Sequence, residues 1–124
     1  MYTHDHADVV YQVAGGAGAG VLKAAKYTGR YAIGVDSNQN KLYQGFILAS
    51  MLKNVGDGIH TAVTAADAGT LAYGSTTSYG LKNGGVGLTF ADNGNIVPAD
   101  MQAKVTDYAQ QVSDGKITVP TTIS

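Results

Sequence analysis

Asp8-Val-Val-Tyr-Gln-Val-Ala-Gly-Gly-Ala-Gly-Ala-Gly-Val21, continued by Leu22-Lys-Ala-Ala-Lys-Tyr-Thr-Gly-Arg30 and Tyr31-Ala-Ile-Gly-Val-Asp36, decides the fold. Asp8 to Val13 is a short apolar run rich in β-branched residues, and it reads as a strand buried on both faces, as in a parallel sheet. Ala14 to Gly20 is a turn of small residues that lets the backbone bend and come close to something. Val21 to Tyr27 carries good helix formers, with Val21, Leu22 and Ala25 on one face, and Gly29 is placed to end the helix. Tyr31 to Val35 is a second buried strand, closing at Asp36. Residues 8–36 therefore make one βαβ unit, whose crossover is expected to be right-handed.

Beyond this unit, Ser37 to Gln44 is a polar connection and Phe46 to Ala49 a third short strand. Ser50 suits a helix N-cap, and Leu52, Val55, Ile59, Ala62, Val63 and Ala66 follow at spacings of three and four up to Gly69. Gly56 and Gly58 inside that helix each cost about 1 kcal/mol relative to Ala. Asn83-Gly84 is the preferred pair for a two-residue hairpin turn, and it sets Leu81 opposite Val86 and Tyr79 opposite Leu88. Pro98 fits a helix's first turn, and Met101, Val105, Tyr108 and Val112 form the apolar stripe of a last helix ended by Gly115. Lys116 to Val119 is read as a final edge strand, because Pro120 cannot continue a central one. The order of elements gives an α/β fold: a parallel sheet with helices on its faces and a hairpin and helix at its C-terminal end.

Composition excludes several function classes. The chain has 124 residues, enough for one domain with one core. Eight basic side chains stand against nine acidic ones, so the basic stripe of a nucleic-acid binder is missing. No apolar run reaches the length of a membrane span. Without Cys there is no disulfide framework, thiolate metal site or cysteine nucleophile. His4, Asp5, His6 and Asp8 lack the spacing of a metal site and are read as a mobile start of chain. His60 stands alone, and no Ser/His/Asp order or carboxylate pair argues for catalysis. The chain is read as a non-enzyme without cofactor or metal.

The candidate site joins the glycine turn to Asp36. In an open α/β sheet, ligands bind beyond the carboxyl ends of the strands. A glycine turn at a helix N-terminus offers backbone N–H groups to an oxygen-rich ligand, and an Asp at the next strand end can grip the vicinal hydroxyls of a ribose. The dinucleotide fingerprint fails here: counted from Gly16 its sixth position is Val21, and counted from Gly18 it is Lys23. The phosphate-loop pattern fails as well, because Val21-Leu22 follows Gly20. Lys53, placed one turn into the helix after Ser50, either donates to a ligand hydroxyl, balances Asp36 or is a solvated surface lysine. Tyr43 and Phe46 are candidates for stacking on a base or for packing.

Four stretches together carry a family resemblance: Asp8 to Val21, Tyr31-Ala-Ile-Gly-Val-Asp-Ser-Asn-Gln39, Leu48-Ala-Ser-Met-Leu-Lys-Asn-Val55 and Tyr79-Gly-Leu-Lys-Asn-Gly-Gly-Val-Gly-Leu88. In order and spacing they resemble the basic membrane protein (Bmp/Med) family, substrate-binding lipoproteins of ABC transporters that include purine nucleoside receptors. The resemblance covers about residues 8–120. It implies one lobe of a type I periplasmic-binding-protein fold, in which two α/β lobes close on a nucleoside and deliver it to an ABC permease. Under it Gly15 and Gly16 approach the sugar, Asp36 binds ribose hydroxyls and Lys53 adds a polar contact. It sets residues 1–7 apart as disordered or atypical, and residues 8–124 as a single lobe lacking the N-terminal lobe, signal peptide and lipidated Cys of an extracytoplasmic receptor. A chain made as written is then expected in the cytoplasm, binding nucleoside weakly and exposing a surface for a homodimer. The alternative reading is a small α/β nucleotide-binding or regulatory module unrelated to transport.

Overall fold

The computed structural model describes residues 1–120 and 122. Strands β1 (Val9–Tyr11), β2 (Tyr31–Gly34), β3 (Ile47–Lys53) and β4 (Val86–Thr89) form one sheet in the order β1-β2-β3-β4. The first two pairings are parallel, and β4 runs antiparallel to β3. Helix α1 (Gly18–Thr28) connects β1 to β2 as the βαβ reading requires. It stops at Gly29, which adopts the left-handed conformation and bonds back to the helix's last carbonyls. Helices α2 (Val55–Asp67) and α3 (Ala99–Ser113) flank β4 in sequence.

The core lies between α1 and one face of the sheet. Leu22 and Ala25 of α1 pack with Val10, Ala32 and Ile47, one apolar residue from each parallel strand. Tyr2 joins this cluster and donates its hydroxyl to the Tyr31 carbonyl at 2.7 Å, so residues set apart in the sequence are tied to the core. The opposite face of β1 and β2 is uncovered. Val9, Tyr11 and Tyr31 are 42, 49 and 42% exposed, which corrects the expectation of a first strand buried on both faces.

Further along the chain the sequence periods mislead. β3 continues through Ser50, Met51, Leu52 and Lys53, all paired with β4, so Ser50 is a mid-strand residue and Lys53 ends a strand instead of lying in a helix. The helical spacing from Leu52 to Ala66 is real only from Val55 onward, where α2 begins. Asn83-Gly84 does turn the chain, with Gly84 in the left-handed region, but Leu81–Asn83 form a short 3-10 turn. Asn83 spends its side chain on the Gly80 N–H and the Ser78 carbonyl, and β4 pairs with β3 in place of residues 79–82. The expected hairpin is therefore replaced by a strand added to the sheet. Helix α3 starts after Pro98 as expected, yet none of its residues is buried; Met101 and Tyr108 face solvent where a core stripe was expected. Residues 116–119 form no strand.

Candidate functional site

The carboxyl ends of β1, β2 and β3 share one rim, because all three strands are parallel and adjacent. Asp36 follows β2 there with φ 67, a left-handed conformation that Asp adopts more readily than most residues bearing a Cβ. Lys53, at the end of the neighbouring strand, meets it twice: its backbone N–H donates to the Asp36 carbonyl at 3.1 Å, and its ammonium lies 2.9 Å from the Asp36 carboxylate. The two side chains are 47 and 54% exposed, so carboxylate and ammonium stand in water at the rim. An ion pair this exposed contributes only about 0–1 kcal/mol to the fold. Exchanging part of it for ligand hydroxyls is correspondingly inexpensive.

Beneath that rim lies a polar network that the sequence reading did not single out. Gln12, directly after β1, is buried and accepts the Ala14 N–H on its side-chain oxygen at 3.0 Å, holding the start of the glycine turn. Its amide nitrogen donates to Gln39 at 3.2 Å. The same Gln39 oxygen accepts the Val35 N–H at 2.9 Å, and the Gln39 N–H donates to Ser50 Oγ at 3.0 Å. Ser50 in turn donates to Asn40 Oδ1 at 2.7 Å, and Asn40 Nδ2 donates to the carbonyls of Thr89 and Ala91. Gln12, Asn40 and Ser50 are all buried, and no buried side-chain polar atom among the described residues lacks a partner. The network stitches the exits of β1, β2 and β4 to the middle of β3 and fixes both ends of the Val35 to Asn40 segment that carries Asp36. The available signal was a polar residue interrupting an apolar run, as Gln12 does after Tyr11 and Ser50 does after Ala49.

This network also assigns the glycines. A Cβ on Gly18 would lie 2.0 Å from the Gln12 side-chain oxygen, so Gly18 is small to admit Gln12. A Cβ on Gly34 would lie 2.6 Å from Ser50 Oγ. Gly15 and Gly16 have open space beside them and face solvent one strand away from the Asp36–Lys53 pair. Of the four residues expected at the site, the structure thus pairs Asp36 with Lys53 and leaves Gly15 and Gly16 as open backbone on the same rim. Tyr43 packs against the core cluster with the Lys26 ammonium over its ring, which removes it from the stacking candidates.

On its other side Lys53 borders an open cleft of about 580 Å³, lined by Val55 and Ile59 of α2, Leu71, Tyr79 and Val86. Its walls are chiefly apolar. The Tyr79 ring lies beside Gly58, 3.8 Å from where a Cβ there would be, an ordinary van der Waals contact. No group of three or more His, Cys, Asp or Glu among the described residues could hold a metal ion, and no described helix is long and apolar enough to cross a membrane.

A family model for PnrA-like ABC transporter substrate-binding proteins matches residues 1–122. The chain belongs to the Bmp family. The match takes in residues 1–7, which the motif reading had left outside. Among curated relatives, the Bmp chain is 37% identical to the "ABC transporter nucleoside-binding protein BmpA" of Lactococcus lactis over 91% of its own length and 36% of that protein's. It is 34% identical to "Basic membrane protein D" of Borreliella burgdorferi, over 97% of itself and again 36% of the relative. The chain thus spans little more than a third of the relatives it matches. Among solved structures, it superimposes with a TM-score of 0.82 and 26% identity on a protein titled a transcriptional activator of the comK gene from Bacillus halodurans, covering 94% of this chain and 40% of that one. An ABC transporter solute-binding protein from Aeropyrum pernix, at 22% identity and a TM-score of 0.75 over 97% of this chain and 42% of that one, shares the fold.

Proposed function

We propose that residues 8–124 act as one lobe of an ABC-transporter substrate-binding protein that holds a nucleoside, a purine nucleoside in the first instance, through its ribose. The observation that carries this reading is the Asp36 carboxylate, held in a left-handed backbone at the carboxyl rim and paired with Lys53 in the open. Asp36 accepts the two vicinal ribose hydroxyls, Lys53 donates to one of the oxygens, and the open backbone at Gly15 and Gly16 lets the sugar approach. The apolar cleft beside Lys53 is the nearest surface able to receive a base. No bond is made or broken; the lobe works by hydrogen bonding and by closing on the ligand with a second lobe, outside the cytoplasm and beside a permease. A dinucleotide reading loses its footing because Gly18, which would belong to a phosphate cradle, is taken up by Gln12.

A lobe alone leaves half of the ligand in water, so weak binding is expected. The test is an NMR titration of the 124-residue chain with inosine and with 2′,3′-dideoxyinosine, alongside calorimetry. Shifts centred on Asp36 and Lys53 with inosine, and lost with the dideoxy analogue, support the assignment. Shifts that ignore the missing hydroxyls overturn it, and sub-micromolar affinity of the isolated chain overturns the single-lobe reading.

A further inference from the structure

Two side-chain amides meet between the exits of β1 and β2, and backbone donors fix which way round each one lies. The Ala14 N–H can only donate, so the Gln12 atom that receives it at 3.0 Å is the oxygen. The Gln12 nitrogen is left to donate to Gln39 at 3.2 Å. The Val35 N–H likewise claims the Gln39 oxygen at 2.9 Å, and this oxygen thereby has both lone pairs engaged within the protein. The Gln39 side-chain nitrogen donates to no described residue. Gln39 is half-buried, and no buried side-chain polar atom among the described residues lacks a partner, so this nitrogen reaches solvent with both hydrogens unused.

The segment that carries Gln39 is closed on itself. The Ser37 N–H bonds to the Val35 carbonyl at 2.8 Å, and the Gln39 N–H is tied to Ser50 Oγ at 3.0 Å. From this segment Asp36 reaches toward β3, where Lys53 lies 2.9 Å away, whereas Gln39 reaches toward Gln12 at the end of β1. A carboxylate, which accepts, and an amide nitrogen, which donates, thus stand on opposite sides of the β2 exit. We infer that Gln39 is a further specificity-determining residue, whose side-chain nitrogen donates to the 5′ oxygen of the bound nucleoside. The inference rests on the ribose reading given above. With the 2′ and 3′ hydroxyls on Asp36 and the base in the cleft on the β3 side, the sugar ring carries its 5′-hydroxymethyl group away from the base, toward β1. There it meets Gln39 and the open backbone at Gly15 and Gly16. A methyl group at that position offers no acceptor, so a nucleoside without the 5′ oxygen forfeits the bond.

The test follows the side-chain amide signals of Gln39 by NMR in the 124-residue chain during titration with inosine, 5′-deoxyinosine and 2′,3′-dideoxyinosine. Inosine is expected to shift the Gln39 side-chain signals together with those of Asp36 and Lys53. With 5′-deoxyinosine the Asp36 and Lys53 shifts persist, the Gln39 shift is lost and binding weakens about 3- to 10-fold. Gln39→Glu keeps an oxygen for the Val35 N–H and for Gln12 but replaces the outward donor by an acceptor. Its urea midpoint is expected to match the unaltered chain. Its affinity for 5′-O-methylinosine, whose 5′ oxygen can only accept, is expected to fall about 3- to 10-fold. Should that variant not fold, inosine and 5′-deoxyinosine on the unaltered chain decide alone. Inosine that moves Asp36 and Lys53 but not the Gln39 side chain, or that binds no better than 5′-deoxyinosine, overturns the inference and leaves the ribose reading standing. Shifts that ignore the loss of the 2′ and 3′ hydroxyls overturn the ribose reading and this inference with it.

Discussion

Ser50→Ala removes one oxygen from the middle of the network under the rim, and its cost can be worked from the groups it strands. Ser50 Oγ accepts the Gln39 N–H and donates to Asn40 Oδ1, and the site is fully buried. Alanine leaves both partners without this bond, in a gap no larger than the lost hydroxyl. A buried donor or acceptor left unsatisfied costs about 1–3 kcal/mol, so the sum is about 2–4 kcal/mol once some relaxation is allowed. Gly34→Ala attacks the same place from the other side, since its Cβ would sit 2.6 Å from Ser50 Oγ and 2.9 Å from Gln39 Oε1. Overpacking of this kind costs about 1–3 kcal/mol. In the double variant the contact with Ser50 Oγ no longer exists. Its destabilisation is therefore expected to fall short of the sum by about 1 kcal/mol, a coupling typical of groups in direct contact. Urea titrations followed by circular dichroism give all four stabilities, with unchanged m-values as the check that the same two states are compared. A Ser50→Ala cost below about 0.5 kcal/mol, the range of surface substitutions that touch nothing, or strict additivity of the pair would refute the network as described.

Two further predictions rest on single contacts. Gly18→Ala and Gly20→Ala differ by two positions in the same helix, but the first meets Gln12 while the second meets nothing within 4 Å. Thermal melts should show the Gly20 variant stabilised by about 0.5–1 kcal/mol through helix propensity, and the Gly18 variant destabilised. Burial pushes the Tyr2 phenol above its ordinary value of 10.0, so the fold favours its neutral form. That stabilisation is complete below pH 10.0 and is lost as the pH rises through the folded-state value. Tyr2→Phe gives up the bond to the Tyr31 carbonyl and should cost about 0.5–1.5 kcal/mol at neutral pH, a gap that urea titrations should find narrowing above about pH 10.

The βαβ unit was legible because each of its signals is local. A β-branched run, a small-residue turn, an i, i+3, i+4 stripe and a terminal Gly all lie within residues 8–36, and each decides its own element. The course of residues 50–90 was not. Ser50 fits an N-cap by type and Leu52 fits a helical stripe by spacing, but a distant strand offers the backbone of both a ladder partner, and the sheet takes them. Asn83-Gly84 failed as a hairpin for the same reason: the turn forms, but β3 competes with residues 79–82 for β4. The Met101 to Val112 stripe predicts an apolar face and says nothing of what covers it; among the described residues α3 buries none of it.

The site shows the same division between type and placement. Asp36 could be nominated because a carboxylate at a strand end can accept two vicinal hydroxyls, although Asp serves turns and caps there as well, and its pairing with Lys53 follows from both residues closing adjacent parallel strands. Yet Lys53 was placed in a helix, and its agreement with Asp36 is secured by β3 running to residue 53 instead of stopping at Ala49. Gly18 teaches the opposite lesson. A glycine run beside a helix start reads as open backbone for an oxygen-rich ligand, but at Gly18 the side chain of Gln12, directly after β1, fills the space and then reaches across to Gln39. What Gly18 secures is the position of Gln12, and through Gln39 and Ser50 the stiffness of the loop on which Asp36 stands. Glycines that never touch a ligand can thus govern how well the carboxylate two elements away is aimed, and Gly18→Ala should disturb the Asp36 resonances even though the two residues make no contact.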